Sequence, residues 1–318
     1  MTTRPSFDDL PLQPSGPRGN AWGLHGPSDQ LGALNALTPS AVAAAARDEI
    51  RDGARVSTDH PLDAVSPPCF GRAGLSHRMW QKKPRVVNDD EVTLNTQSSS
   101  QWDGLRHFGY QDEAVFYGGR TIGDLYSSDV LGIHAWANAG GIVGRGILLD
   151  YASWTEQAGR SLPPAFETSP IPASDLRLVA ASQGTTIRPG DILLVRTGWG
   201  RAYAGLDDAG RAALAAMDPP PAVGLESSEE TLRWLWDCGF AAVAGDQPSF
   251  EAWPCRDKRF WLHEWLLSGW GMPIGEIFDL ERLAEECAKR KRWSFFFSSV
   301  PLKVPGGVAS PPNGVAIF

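Results

Sequence analysis

The sequence has few cysteines and no long apolar run. It has four cysteines among its 318 residues, and no two of them form a Cys-x-x-Cys pair. This scarcity excludes a disulfide framework and is typical of reduced thiols in a cytoplasm. No stretch of about 18 apolar residues occurs, and the N-terminus has no apolar signal core. We therefore expect a cytoplasmic protein that does not associate with membranes.

Positive charge is also scarce. The chain carries 29 lysine and arginine residues against 37 aspartate and glutamate residues, which gives a formal net charge of −8. Phosphate recognition requires a basic surface. Only two short basic runs occur, at residues 82–85 and 289–292, and the second follows a helical pattern whose C-terminal end it would stabilise. These features exclude a nucleic-acid partner.

A dinucleotide site is excluded by the order of elements around the glycine-rich run 140–146. A dinucleotide-binding motif needs a strand before the glycines and a helix after them. Here the pattern that follows, in residues 142–150, is that of a strand. The sequence therefore predicts no nucleotide cofactor.

The patterns that are present indicate an α/β fold. Residues 1–20 are rich in Pro, Gly and Ser and are predicted to form an extended N-terminal segment, whereas residues 21–318 show no linker and form one domain. The apolar runs 192–196 and 240–244 are typical of buried strands. Between them, residues 227–236 begin with Ser-Ser-Glu-Glu, which predicts a capped helix.

Polar side chains alternate along residues 97–103, which read Gln-Ser-Ser-Ser-Gln-Trp-Asp. If this segment is a strand that continues from residues 92–96, the side chains at 97, 99, 101 and 103 share one face. His107 follows four residues later. Two interpretations remain open: these groups line a binding cleft, or they form a polar strand edge with its hydrogen bonds satisfied.

Three of the six histidines are candidates for chemistry: His107, His134 and His263. A lone His in an apolar helical pattern, as at position 263, is more often a core residue. Glu276 also lies in an apolar run, where an unpaired carboxylate is costly to bury, so that a metal, a histidine or a proton is expected beside it. Thirteen tryptophans, Trp102 among them, are either core residues or the walls of a pocket for a flat ligand.

The segment 97–107 resembles the His-x-Gly-Thr-His-x-Asp-x-Pro-x-His signature of the cyclase family of metal-dependent hydrolases, which includes bacterial kynurenine formamidases and isatin hydrolases. In this alignment Gln97 and Gln101 replace the first two histidines, and Asp103 and His107 match the aspartate and the final histidine. The resemblance extends over much of the chain, through residues 21–35, 190–199, 244–249, 301–304 and 314–317.

This resemblance implies a swivelling β/β/α domain, in which a mixed sheet or flattened barrel has helices outside it. It also implies one divalent metal, Zn or Mn. The implied metal ligands are Asp103, His107, His263 and Glu276. The implied catalytic residues are His107, His263 and Glu276. We expect Gln97, Gln101, Trp102 and His134 to contact the substrate. Two amides in place of two imidazoles weaken the metal site, because an amide oxygen is a poor zinc ligand.

Two functions follow from the resemblance. The first is a hydrolase that acts on a small cyclic amide, lactone or N-formyl compound by metal-assisted attack of water. The second is a metal-free member that binds an aromatic metabolite or catalyses non-hydrolytic cyclisation or isomerisation, with Gln97, Gln101 and His107 as hydrogen-bonding groups. A serine hydrolase ranks third, because residues 98–100 lack a Gly-x-Ser-x-Gly elbow. The partners we expect are a small-molecule substrate and further copies of the chain in a homo-oligomer.

Overall fold

The computed structural model describes residues 4–318 as helices around one large sheet. The α-helices of this range are α1 (Pro39–Glu49), α2 (Ile122–Ser127), α3 (His134–Asn138), α4 (Tyr151–Gln157), α5 (Ala173–Gln183), α6 (Trp199–Ala204), α7 (Asp208–Ala215), α8 (Glu229–Cys238) and α9 (Glu281–Arg290). Short 3-10 helices cover Phe7–Asp9, Gly32–Ala36, Tyr117–Gly119 and Lys258–Phe260, and a π-helix covers Glu264–Trp270. No helix between residues 4 and 318 combines the length and apolar character that a membrane crossing requires.

The strands form one nine-stranded sheet and three two-stranded ribbons. They are β1 (Arg55–Ser57), β2 (Ser76–Gln81), β3 (Asn88–Thr93), β4 (Gln101–Asp103), β5 (Val115–Phe116), β6 (Arg120–Thr121), β7 (Ile142–Asp150), β8 (Pro170–Ile171), β9 (Ile192–Arg196), β10 (Gly224–Leu225), β11 (Ala242–Gly245), β12 (Ile274–Glu276), β13 (Ser294–Ser299), β14 (Ala309–Ser310) and β15 (Gly314–Ile317). The ribbons pair β2 with β3, β5 with β6, and β8 with β10.

The large sheet has the order β1-β15-β13-β7-β9-β11-β12-β4-β14. Its centre, β7-β9-β11-β12, is parallel, and the pairs on either side are antiparallel. The sheet curls into a half-barrel. The half-barrel is open, because within the described chain the edge strands β1 and β14 do not pair with each other. The predicted α/β fold with a mixed sheet is confirmed.

The strands at the centre of the sheet are buried on both faces. In β9, Leu193 and Val195 face one apolar layer, and Ile192 and Leu194 face the other. Helices α4, α5 and α8 contribute to the first layer, and α9 contributes to the second. Because helices cover both sides of a parallel sheet, consecutive residues of its strands are apolar.

The helix predicted over residues 227–236 is confirmed as α8, and side chains cap the first turns of both α1 and α8. Thr38 accepts a hydrogen bond from Ala41 N at the start of α1, and Ser228 accepts one from Thr231 N at the start of α8. Gly239 ends α8 with φ 71°, a left-handed conformation that favours glycine. Each signal is local, so it acts without help from the rest of the fold.

The predicted strand through residues 92–103 is wrong over most of its length. Strand β3 ends at Thr93 and pairs with β2 in an exposed hairpin, and only Gln101–Asp103 joins the large sheet. Asn95 breaks the extended path: its Oδ1 accepts from Gln97 N at 2.9 Å, and its carbonyl accepts from Ser98 Oγ at 2.9 Å. Side-chain to backbone bonds of this kind stabilise turns at the expense of strands.

Asp59, which follows β1, makes the stability of the fold depend on pH. Its Oδ2 accepts from Gly314 N at 2.6 Å, and burial raises the pKa of its carboxyl from 3.8 to about 6, with a smaller contribution from the charge of Asp279. Because the folded state binds this proton more tightly than the unfolded state, the stabilisation is complete below pH 3.8 and is lost as the pH rises through about 6.

We expect Asp59→Asn to gain stability relative to the wild type as the pH rises from about 4 to about 6.5. Urea unfolding at several pH values measures this difference directly, because the other carboxylates are common to both proteins. A difference in unfolding free energy that stays constant over this range would contradict the assignment.

Candidate metal and ligand site

The register of two strands brings Gln101 and Glu276 together. Strands β4 and β12 are antiparallel, with Gln101 directly opposite Glu276. Opposed residues share a face of the sheet. Accordingly, Gln101 Nε2 donates to Glu276 Oε2 at 2.8 Å, and both side chains are buried. Asp103, two residues along β4, lies on the same face.

Trp102 and His134, which we predicted as substrate contacts, do not line the cleft. Trp102 alternates with Gln101 and Asp103 along β4, so it points to the opposite side of the sheet, where it is fully buried and donates to Ser299 Oγ at 2.8 Å. His134 begins α3, and its Nδ1 accepts from the backbone N of Gly306 at 3.3 Å. The alternation that places Gln101 and Asp103 on one face already places Trp102 on the other, whereas no sequence pattern marked His134 as lying outside the cleft.

Two glutamine amides orient Asp103. Gln97 Nε2 donates to Asp103 Oδ1 at 2.7 Å, and Gln101 Nε2 donates to the same oxygen at 3.2 Å. Asp103 is fully buried, and its other oxygen, Oδ2, has no hydrogen-bond partner within the described chain. Oδ2 lies 3.9 Å from His263 Nε2 and 4.0 Å from His107 Nε2. The glutamines therefore bind one oxygen of Asp103 and leave the other facing two imidazoles.

Glu251 fixes the ring of His263. Both carboxylate oxygens of Glu251 lie 2.8 Å from His263 Nδ1, and Glu251 is fully buried. His263 Nε2 consequently faces the cleft, 3.2 Å from Glu276 Oε1, although this contact lacks the alignment of a hydrogen bond. Glu251 was not predicted from the sequence, because nothing in its local pattern connects it to a histidine 12 residues later.

Three ionisable groups of the site have pKa values displaced in different directions. Burial and, to a smaller extent, the charge of Asp103 raise the pKa of Glu276 to about 7. Burial lowers the pKa of His107. Burial also opposes the charge on His263, but the carboxylates of Glu251 and Glu276 outweigh it and raise the pKa of this imidazole well above its usual value.

These groups open into a cleft of about 180 Å³. Phe70, Phe108 and Trp253 form aromatic walls, and Arg72 and Ser249 add polar groups. None of these five residues was predicted from the sequence as a site residue. They come from three separate loops, and only the fold brings them beside His107 and His263.

Residues 18–22 contact the helix that follows His263 and hold it in place. Arg18 pairs with Glu264 at 2.7 Å, and Trp22 Nε1 donates to the carbonyl of Ser268 at 2.7 Å. The part of the predicted extended segment that comprises residues 1–3 lies outside the described residues. These contacts hold the Glu264–Trp270 helix, and with it the position of His263.

Asp103, His107 and His263 have the donor set and spacing that a metal ion requires. One ligand atom from each residue lies within 4.8 Å of the others. Imidazole nitrogen and carboxylate oxygen suit Zn²⁺ and Mn²⁺, and the unpartnered Asp103 Oδ2 fits a ligand to such an ion. Glu276, which we expected as a fourth ligand, lies beside His263 but outside this group of three.

The comparisons with known proteins identify the family. The model of the Cyclase family, described as "Putative cyclase", matches residues 37–252. A solved structure described as a novel cyclase is 32% identical, covers 94% of this chain and 99% of its own, and superimposes with a TM-score of 0.83. The chain therefore belongs to the cyclase family, as the resemblance implied.

Two isatin hydrolases have the same fold at low sequence identity. Isatin hydrolase A from Labrenzia aggregata, bound to benzyl benzoate, is 16% identical with a TM-score of 0.60 over 90% of this chain and 99% of its own. Isatin hydrolase A from Ralstonia solanacearum is 16% identical with a TM-score of 0.59 over 88% and 96%. No curated protein matches the sequence.

Proposed function

We propose that the protein is a metal-assisted hydrolase of a small cyclic amide, lactone or N-formyl compound. The observation that carries this proposal is Asp103 Oδ2, which is buried without a hydrogen-bond partner and faces two imidazole nitrogens. A buried carboxylate oxygen without a partner costs free energy, which a bound cation would recover. Membership of the cyclase family and the fold shared with isatin hydrolases support the same class of reaction.

Asp103, His107 and His263 would hold the ion, a single Zn²⁺ or Mn²⁺. When bound, such an ion polarises a carbonyl group and lowers the pKa of a water molecule. Gln97 and Gln101 keep Asp103 in place through its Oδ1, and Glu251 sets the orientation of His263. In this way the two amides support a ligand and are not ligands themselves.

Glu276 is the residue that would move a proton. Its pKa of about 7 lies near neutral pH, where a carboxyl group accepts and releases a proton with equal ease. Gln101 occupies Oε2, so Oε1 remains to take up the proton in the cleft. His263 Nε2, 3.2 Å from Oε1, stabilises the ionised form.

A metal-free function is the second candidate, and the position of Gln97 favours it. Gln97 Nε2 lies 3.1 Å from His107 Nδ1 as well as 2.7 Å from Asp103 Oδ1, so the amide already satisfies part of the polar cluster. Such a site would bind an aromatic metabolite or catalyse its cyclisation or isomerisation by hydrogen bonding. It leaves Asp103 Oδ2 without a partner, which is why we prefer the metal-assisted hydrolase.

Metal analysis separates the two candidates. We expect protein purified without chelator to retain about one equivalent of Zn²⁺ or Mn²⁺, and EDTA to abolish hydrolysis across a panel of lactones, cyclic amides and N-formyl amides. His134→Ala, outside the cleft, is the control and should retain both metal and activity. Less than about 0.1 equivalent of metal, together with an activity that EDTA leaves intact, would favour the second candidate.

A further inference from the structure

Arg72 lines the cleft with a charge that the described structure leaves unpaired. One of its guanidinium nitrogens donates to the backbone oxygen of Gln97 at 2.6 Å and lies 3.5 Å from Gln101 Oε1. Both acceptors are neutral, and Arg72 takes part in no ion pair among residues 4–318. Because arginine is always protonated and has five N–H donors, most of its hydrogen-bonding capacity remains available to a ligand.

The guanidinium is held in a fixed orientation. It stands 5.0 Å from the centre of the Phe70 ring, and the bond to Gln97 anchors its other side. A planar guanidinium held in this way matches the two oxygens of a carboxylate. The Arg72 side chain is also next to the reacting groups, because Gln101, which it contacts, donates to both Asp103 and Glu276.

The remainder of the cleft is suited to a ring. Phe70, Phe108 and Trp253 surround a volume of about 180 Å³. A cavity of about 150 Å³ accommodates benzene, so this cleft has roughly the size of a single aromatic ring with a small substituent. Glu276, which lines this cleft, and the buried Asp103 next to it would repel an anion unless a positive charge compensated for them.

We propose that Arg72 is a specificity-determining residue that recognises a carboxylate, and that the ligand of this cleft is a single-ring aromatic acid. The carboxylate of this ligand binds Arg72, and its aromatic ring lies between Phe70, Phe108 and Trp253. The inference rests on the proposed function, because it assigns the substrate or product class of the same cleft.

Benzoate and benzamide are the probes that test this proposal, because they have the same shape and differ in charge. Isothermal titration calorimetry on the full chain, both stripped of metal and loaded with Zn²⁺, should show benzoate binding at least about tenfold more tightly than benzamide. Arg72→Met should remove this preference, and Arg72→Lys should restore part of it. Arg85→Met, on the exposed hairpin, makes the same charge change away from the cleft and should leave the preference intact.

Equal affinities for the two probes, no measurable binding of benzoate, or an unchanged preference in Arg72→Met would each overturn the proposal. If Arg72→Met fails to fold, the comparison of the two probes on the wild type decides. Hydrolysis of neutral lactones with the same kcat/KM in wild type and Arg72→Met would overturn this inference and leave the hydrolase proposal standing. Arg72-dependent binding of benzoate to a protein that retains no metal would support it while the hydrolase proposal failed.

Discussion

Asp103→Asn is expected to lower the affinity for Zn²⁺ by at least about 100-fold, because it removes the one negatively charged ligand of the proposed metal site. The substitution keeps the size of the side chain, which is fully buried. An asparagine has one oxygen and one NH2 group, whereas Gln97 and Gln101 both donate to Oδ1. If the asparagine oxygen accepts from these two amides, its NH2 group faces the metal position and cannot bind a cation.

Competition with a chromophoric chelator measures the affinity, and it does so whether or not a substrate is known. Asp112→Asn is the matched control, because it makes the same change of charge at an exposed position outside the cleft. Its affinity for Zn²⁺ should equal that of the wild type. An Asp103→Asn protein that is folded and binds Zn²⁺ as tightly as this control would remove Asp103 from the site.

Local sequence patterns predicted the elements whose stabilisation is local. Helix α8, predicted from the Ser-Ser-Glu-Glu start of residues 227–236, begins at the capping residue Ser228. The strand β9 is an uninterrupted apolar run after a Pro-Gly turn and is buried along its whole length. The mixed sheet was predicted from the resemblance to the cyclase family, which extends over several segments of the chain.

Only part of the candidate site could be predicted from the signature motif of residues 97–107. Asp103 and His107 come from the signature, and the structure brings them to His263 and Glu276, 156 or more residues later in the chain. Glu251 and Arg72 were missed because each acts across an interval of sequence that carries no pattern. Trp102 lies on the other side of the sheet from Gln101 and Asp103, as the alternation of side chains along a strand requires.

The two glutamines illustrate a limit of reading ligands from an alignment. In the signature their positions hold imidazoles, so the sequence indicated that two ligands are absent. In the structure the amides bind Asp103 Oδ1 and Glu276 Oε2, which leaves Asp103 Oδ2 and Glu276 Oε1 without hydrogen-bond partners among the described residues. The residue types alone do not specify which atoms the amides bind. In the structure the two glutamines orient the carboxylates of Asp103 and Glu276 and do not replace the two histidines as ligands.

Arg145→Met is expected to lower the free energy of unfolding by about 3–5 kcal/mol, the cost of breaking a buried ion pair by removing one partner. Arg145 on β7 bonds to Glu49 Oε1 at 2.8 Å and to Asp191 Oδ2 at 2.7 Å, and both carboxylates are buried. Arg292 also pairs with Glu49 at 3.1 Å, so Glu49 keeps a cation. Asp191 keeps the backbone N of Arg188, at 2.7 Å, but loses its ion-pair partner.

Urea unfolding at pH 7 measures the loss, and Arg177→Met provides the control. Arg177 pairs with Glu230 on the surface, where both side chains are about half exposed, and surface pairs contribute only about 0–1 kcal/mol. Adding Asp191→Asn to Arg145→Met should recover part of the stability, because it removes the buried charge and keeps an acceptor for Arg188 N. If Arg145→Met costs no more than Arg177→Met, the network around Arg145 does not stabilise the attachment of α1 to the sheet.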